Sequence, residues 1–158
     1  MPESPFDALL SRVRQIDGFL LGCIIDAATG MVLGSAQDRD ELRLPVAAAG
    51  AADVANVVSL MAGGLAANGG LEDVIITMSG HYHLIRQFSP APKLQFLLLV
   101  VLDRSQANLA MALRELRDFD ISFDMGSGMG PNAGPNIGSD ANVAGRAGAA
   151  LPGSHQGV

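Results

Sequence analysis

Three residue types are scarce in this chain of 158 residues: it has one cysteine, one lysine and no tryptophan. The lone Cys23 excludes an internal disulfide and a zinc site built from cysteines. The lone Lys93 follows a proline and precedes a leucine, so the Gly-Lys-Ser/Thr of a Walker-type phosphate loop is absent. The formal charge of −6 argues against a nucleic-acid partner, since binding phosphates requires clustered Lys and Arg. The composition supplies no catalytic cluster, cofactor motif or metal site.

Long apolar runs are also few. The stretch 44–67 is the one candidate membrane span, but alanine and glycine dominate it, and Pro45, Asp53 and Asn56 lie inside it. The first residues are polar and partly acidic, whereas a secretory signal begins with basic residues and continues with an apolar run. These features predict a cytoplasmic protein without direct membrane insertion.

The hydrophobic periodicity predicts eight elements in the order α-β-β-α-β-β-β-α, an α+β fold about one antiparallel sheet. Ser4 is suited to cap the first helix, and Gly30 to end the loop of a hairpin. Asp103 or Ser105 is expected to cap the last helix. The predicted ranges are helices at 4–16, 45–67 and 106–119 and strands at 19–25, 31–35, 73–79, 81–88 and 94–102.

The composition changes near the end of the last predicted helix. From Gly126 to Val158 there are nine glycines and three prolines, with scarcely any large apolar residue. Such a segment buries too little surface to offset the entropy cost of ordering. We therefore predict a folded domain at 4–119 and a disordered tail rich in Gly, Pro and Asn at 120–158.

The long central helix carries apolar or small residues on both of its faces, with one charge on the second face. The face predicted to lie on the sheet consists of Ala47, Val54, Val57, Val58, Met61 and Leu65. The opposite face consists of Ala49, Ala52, Asp53, Asn56, Ser59, Leu60 and Gly63. Small residues allow a second helix to approach closely, so this face predicts a homodimer interface. The alternative is an alanine-rich surface helix.

The strand after the long helix is expected at an edge of the sheet, where Val74 and Ile76 would extend the dimer contact by strand pairing. The charged loop before that helix is the candidate surface for another partner, although solvated charge explains it equally well. The residues of this candidate partner-binding loop are Asp38, Arg39, Glu41 and Arg43.

Two further features are candidates for chemical sites. His81 and His83 have the spacing of two metal ligands on one strand face, but no third ligand is near in sequence, so packing is the better interpretation. Cys23 lies in an apolar strand without basic neighbours, where a thiol behaves as a small hydrophobe. We predict no catalytic, cofactor-binding or metal-binding residues.

The order and spacing of these segments resemble the Roadblock/dynein light chain family, in its bacterial type, over about residues 6–119. The resemblance depends on a hairpin motif and on a strand that leads into the last helix. The matching residues are Gly18, Asp26, Gly30 and Val32 in the hairpin and Leu102, Asp103, Asn108 and Leu109 in the second segment. The motifs are short, and their order carries the likeness.

This resemblance implies a five-stranded antiparallel sheet between one long helix and the two terminal helices. It also implies pairing through the long helix and the following strand, and a non-enzymatic scaffold that binds or regulates a small Ras-like GTPase. The alternative function is a small-molecule sensing module of a signalling pathway. A sensor should enclose a lined cavity, whereas a scaffold should have a filled core and a flat apolar surface.

Overall fold

The computed structural model describes residues 4–65 and 70–127. It contains the eight predicted elements in the predicted order, which confirms the α+β class. The helices are α1 (Pro5–Val13), α2 (Leu44–Gly64) and α3 (Leu109–Ser127). The strands are β1 (Phe19–Asp26), β2 (Val32–Gln37), β3 (Asp73–Thr77), β4 (His81–Ala91) and β5 (Leu94–Asp103).

The five strands form one antiparallel sheet in the order β2-β1-β5-β4-β3. The central strand β1 is almost fully buried, and β5 is buried from Leu97 to Leu102, because helices cover both faces of the sheet. One core cluster joins the sheet to α1 and α3, and the other joins it to α2. The predicted sandwich is therefore confirmed, and β2 and β3 are its edges.

Local sequence signals explain the first elements. Ser4 caps α1 through a capping box with Asp7, and the proline that follows occupies the start of the helix. The helix ends at Val13, not at residue 16, because the amides of Gln15 and Ile16 bond three residues back and form a tighter turn. Gly30 has a φ of 73° in the β1–β2 loop, a conformation that glycine adopts without steric cost.

The start and end of the last helix differ from the prediction. Asp103 does not cap it, since its Oδ1 accepts hydrogen bonds from the amide and hydroxyl of Ser105 in a preceding turn. Asn108 caps α3 instead and accepts from the Met111 amide at 3.2 Å. The helix continues to Ser127, so the domain boundary predicted at residue 119 falls within it. The rest of the predicted tail, residues 128–158, lies outside the described residues.

The β4–β5 hairpin is longer than predicted. β4 continues past Pro90 with an irregularity in its pairing, which removes the need for a proline N–H in the ladder. Ala91 pairs with Leu94, leaving a two-residue turn of Pro92 and Lys93. The φ of Lys93 is 69°, so a lysine occupies a turn position that normally favours glycine.

The face of α2 that contacts the sheet also differs from the prediction. Its buried residues are Ala48, Ala51, Ala52 and Ala55. Ala52, which was predicted at the dimer interface, is 6% exposed and belongs to the cluster under α2. Alanines allow the helix axis to lie close to the sheet, so the larger residues Val57, Met61 and Leu65 remain exposed. The prediction of these three as sheet-facing residues was wrong, whereas Ala47 and Val54 of the same predicted face do pack, partly buried, against the cluster under α2.

Candidate interaction surface

The side of α2 that points away from the sheet is apolar and open. We define the outward face of α2 as the exposed residues Val46, Ala49, Gly50, Asp53, Val57, Leu60 and Met61. Leu60 is 78% exposed, and Asp53 carries the one charge of this face. In a monomer this side of a surface helix is normally charged or polar. An exposed apolar face of this kind is typical of surfaces that bind another protein.

The glycines of α2 have no packing role within the described part of the chain. A Cβ added at Gly50, Gly63 or Gly64 would meet no atom within 4 Å. Glycine in a helix costs about 0.5–1 kcal/mol relative to alanine. The internal packing of the domain therefore gives no reason for glycine at these positions, whereas close approach by a second backbone would.

α2 is long and apolar enough to cross a membrane by length and composition. In the domain, however, its alanine face packs on the sheet and contributes to a buried cluster. Such a helix belongs to the folded core on one side and exposes apolar surface on the other.

The edge strand β3 follows α2 in sequence. β4 is the one strand that pairs with it among residues 4–65 and 70–127, so its outer backbone groups are open to another strand. Val74 and Ile76 are partly buried against the cluster under α2, and Ile75 points to the other face and is exposed. The predicted edge position is confirmed, and the contact groups that β3 offers are its backbone N–H and C=O.

A partly buried ion pair links this edge strand to its neighbour. Asp73 Oδ1 lies 2.6 Å from a guanidinium nitrogen of Arg86 on β4. Arg117 on α3 lies 3.9 Å from the other carboxylate oxygen of Asp73. The sequence analysis missed this group, because these side chains meet only once the strand register and the position of α3 are known.

The candidate partner-binding loop lies at the end of the sheet where α2 begins. Asp38 forms an exposed ion pair at 2.8 Å with Arg14, the residue that follows α1, which ties the loop to the opposite helix layer. Arg39, Glu41 and Arg43 are exposed. Hydrogen bonds from the Ser105 hydroxyl and amide lower the pKa of Asp103, and the positive charge of Arg39 adds to this effect.

The two histidines of β4 lie near the same end. Their ring centroids are 6.3 Å apart, and burial, followed by the charge of His81, lowers the pKa of His83. The described residues include no group of three His, Cys, Asp or Glu that could hold a metal ion. Tyr82, on the other face of the strand, stacks beneath the guanidinium of Arg104 at 5.7 Å.

The thiol of Cys23 is fully buried in β1. Burial raises its pKa to about 12, so the thiol stays protonated at neutral pH. Its surroundings are those of a packing residue in the cluster under α2.

A cleft of about 410 Å³ opens between α2 and the β4–β5 hairpin. Its lining includes Asn56 and Ser59 from α2, Lys93 and Gln95 from the hairpin, and Asp26 from the end of β1. The sequence analysis assigned Asn56 and Ser59 to the dimer interface and did not anticipate the cleft. No sequence pattern indicates the cleft, because its walls come from segments that meet only in the folded chain.

Comparison with known proteins identifies the fold. No protein-family model and no curated protein matches the chain. Among solved structures, Myxococcus xanthus MglB is similar with a TM-score of 0.67 and 11% identity, covering 79% of this chain and 96% of that chain. The gliding protein MglB from Thermus thermophilus has a TM-score of 0.65 and 15% identity, covering 79% of this chain and 92% of that chain.

A Roadblock/LC7 domain from Streptomyces avermitilis is similar with a TM-score of 0.62 and 15% identity, covering 75% of this chain and 94% of that chain. At such low sequence identities, the similarity is one of backbone architecture. The chain therefore has the Roadblock/LC7 fold, and the resemblance noted in its sequence is confirmed at the level of fold.

Proposed function

We propose that the chain is a non-enzymatic homodimeric scaffold that regulates a small Ras-like GTPase in a bacterial cytoplasm and binds it through the dimer surface. The observation that carries the proposal is the apolar outward face of α2, which lies next in the chain to the open edge of β3. The Roadblock/LC7 fold supports it, because the sequence resemblance implies both the pairing mode and the GTPase partner.

The energetics favour covering this face. Burying a large apolar side chain such as Leu60 or Met61 stabilises an interface by about 1.5–3 kcal/mol. A two-fold axis would bury each of them twice, since both subunits contribute the same patch. The glycines of α2 would allow the two helices to come close, and pairing of the β3 edges would add backbone hydrogen bonds.

We expect any nucleotide hydrolysis to take place in the partner. The sequence lacks a Gly-Lys-Ser/Thr phosphate loop, and the thiol of Cys23 is buried and protonated. The chain would therefore act by positioning groups of the GTPase. The exposed loop with Arg39 and Arg43 adjoins the start of α2 and offers charged contacts at the rim of the dimer surface.

The homodimer is tested with Leu60→Asp. A carboxylate at this position would be buried without a partner in the dimer but solvated in the monomer. Light scattering after size exclusion should give a dimer mass for the parent chain and a monomer mass for the variant. Met111→Asp is the matched control on α3, where the methionine is also exposed, and it should remain dimeric. A monomeric parent chain at tens of micromolar would refute the dimer.

The partner is tested by capture from bacterial lysate loaded with GTP or with GDP, followed by mass spectrometry. A Ras-like GTPase should be recovered with the parent chain and lost with Leu60→Asp. Arg39→Glu should weaken its capture, whereas Arg114→Glu, an equal charge reversal on exposed α3 surface, should not. Recovery of no Ras-like GTPase with either nucleotide would contradict the proposed function.

The alternative of a small-molecule sensor is less well supported as the main function. A sensing domain should enclose its ligand in the core. Here both core clusters are filled by packed side chains, and the cleft beside α2 is open and lies at their margin.

A further inference from the structure

The side of α2 that packs on the sheet changes in character towards the end of the helix. Ala52 and Ala55 are buried in the cluster under α2. Asn56 and Ser59 follow them by four residues and so lie on the same side of the helix, but both are exposed and line the cleft of about 410 Å³. The helix therefore offers an amide and a hydroxyl to the cleft, whereas its earlier turns offer methyl groups to the sheet.

The floor of the cleft is the side of the β4–β5 hairpin that faces α2. Gln87 pairs with Leu97 across the hairpin, and Leu97 is buried in the cluster under α2. Side chains of directly paired residues lie on the same face of a sheet, and so do those of residues two apart on one strand. Gln87 and Gln95 thus both point towards α2, and the two amides of the hairpin face the polar groups of the helix.

The charge of the cleft is positive. Asp26 borders the cleft, but it pairs with Phe96, whose ring packs in the cluster with α1 and α3, so its carboxylate lies on the other face of the sheet. There its Oδ1 accepts hydrogen bonds from the amides of Ala28 and Thr29, at 2.8 and 3.2 Å. Lys93, in the turn of the hairpin, is the other charged residue among the described residues that line the cleft. A ligand of this cleft should therefore carry a negative charge.

The polar side chains that face the cleft are available to a ligand. In the part of the chain that the structure describes, they form no hydrogen bond or ion pair with protein groups. Such groups are hydrogen-bonded to water until a ligand replaces it, so binding would break no internal bond of the domain. These side chains are those of Asn56, Ser59, Gln87, Lys93 and Gln95.

The backbone of Lys93 supplies a separate observation. Its φ of 69° lies in the left-handed region, which is unfavourable for a residue with a Cβ. Glycine would adopt the turn after Pro92 without this cost, and asparagine tolerates it. The chain thus places its one lysine in a strained conformation at the cleft, and backbone strain of this kind is concentrated at functional positions.

The surroundings favour a ligand with a single negative charge. The cleft supplies one ammonium group, and the exposed Glu72 lies next to its floor, since the Glu72 carbonyl accepts from the Gln87 amide at 3.0 Å. A carboxylate matches one ammonium, whereas a dianion would leave one charge uncompensated near an acidic residue. Side-chain amides and hydroxyls both donate and accept, which suits hydroxyl groups on the rest of the ligand.

We propose that this cleft binds a small polyhydroxy acid, a molecule of the sugar-acid class with one carboxylate and several hydroxyl groups. The carboxylate meets the ammonium of Lys93. The hydroxyl groups exchange hydrogen bonds with the amides of Asn56, Gln87 and Gln95 and with the hydroxyl of α2. The volume of about 410 Å³ is within the range of small-molecule sites in proteins. The site is independent of the proposed GTPase partner.

The test is a titration of the ¹⁵N-labelled full chain, followed by amide chemical shifts, at millimolar ligand and physiological salt. The probes are D-gluconate, D-sorbitol, which keeps the hydroxyl groups without the carboxylate, and hexanoate, which keeps the carboxylate without the hydroxyl groups. Gluconate should shift the amides of Asn56, Lys93 and Gln95. Sorbitol should bind about tenfold more weakly, because it lacks the charge-assisted hydrogen bond, and hexanoate about tenfold more weakly, because it lacks the several neutral ones.

Two variants assign the groups. Lys93→Asn removes the ammonium but keeps a residue that tolerates the left-handed turn, so gluconate binding should weaken about tenfold and sorbitol binding should not change. Asn56→Ala should weaken the binding of both by about threefold, since it removes a neutral hydrogen bond. Urea unfolding confirms that both variants fold. Arg12→Gln removes a charge that lies over the Phe119 ring between α1 and α3, and as the control it should leave binding unchanged.

Three results would overturn the proposal. One is the absence of amide shifts with gluconate. Another is equal binding of gluconate and inorganic phosphate, which would describe a site for any anion. The third is a shift of the Asn56 and Ser59 amides with protein concentration alone, which would mean that a second copy fills the cleft. Each result is read on the cleft itself and does not depend on capture of a GTPase.

Discussion

Asp73 and Arg86 form an ion pair of 2.6 Å across the first residue pair of β3 and β4, and their side chains are only 14% and 11% exposed. The pair therefore fixes the start of the edge strand to the interior of the sheet. Arg117 reaches the second oxygen of Asp73 from α3 at 3.9 Å. The position of the open edge is thus coupled to the helix layer on one side of the sheet.

Replacing Asp73 with alanine should lower the free energy of unfolding by about 1.5–3 kcal/mol, since a charge-assisted hydrogen bond in a largely shielded position is lost. Urea denaturation, monitored by circular dichroism, measures this change in the free energy of unfolding. Asp38→Ala is the matched control, because its ion pair with Arg14 is about half exposed and should be worth less than about 1 kcal/mol. Equal effects of the two substitutions would contradict the structural role of Asp73.

The sequence predicts the order of elements well because periodicity, caps and turns are local signals, as Ser4 and Gly30 illustrate. It predicts only in part which side of α2 meets the sheet, since Ala47 and Val54 pack there and Val57 and Met61 do not. A helix that is apolar on most sides has no unique buried face, so the volume of its side chains decides which face lies on the sheet. Ala52 therefore packs where a valine was expected. The Asp73–Arg86 pair and the cleft depend on contacts between distant segments, which hydropathy patterns do not contain.

His83 should make the domain less stable in mild acid. Burial, followed by the charge of His81, lowers its pKa below the ordinary value of 6.5 in the folded chain. As the pH falls through that value, the unfolded chain takes up the proton first, so the free energy of unfolding decreases. The contribution of His83 to the free energy of unfolding is complete above about pH 6.5. It declines as the pH falls, until the pH lies below the folded-state pKa of His83. Urea denaturation at a series of pH values measures this dependence.

Two substitutions separate the causes of that pH dependence. His83→Gln should remove the part of the slope that this residue contributes. His81→Gln should reduce the slope without abolishing it, because burial is the larger cause of the lowered pKa. An unchanged slope in the His83 variant would show that other groups set the response to acid.

Cys23 should resist thiol reagents in the folded state. Its side chain is fully buried, and a pKa of about 12 leaves almost no thiolate near neutral pH. Labelling with a maleimide at pH 7.5, followed by mass spectrometry, should be slow in buffer and rapid in urea. The Asp73→Ala variant should label faster than the parent chain in buffer, since a destabilised domain opens more often. Rapid labelling of the parent chain would contradict the burial of β1.

The corrected orientation of α2 is tested by the same substitution on two of its sides. Ala52→Leu forces extra methylenes between the helix and the sheet, where Ala52 is 6% exposed, and should cost about 1–3 kcal/mol. Ala49→Leu lies on the outward face of α2 and should leave the stability of a monomeric background, Leu60→Asp, nearly unchanged. In the chain that is otherwise unchanged, Ala49→Leu should instead shift light-scattering mass toward the monomer, because a larger side chain separates two closely packed helices. If Ala49→Leu destabilised the monomer and Ala52→Leu did not, Ala49 would be the residue on the sheet, and the face with Leu60 could not be the one available to a second subunit.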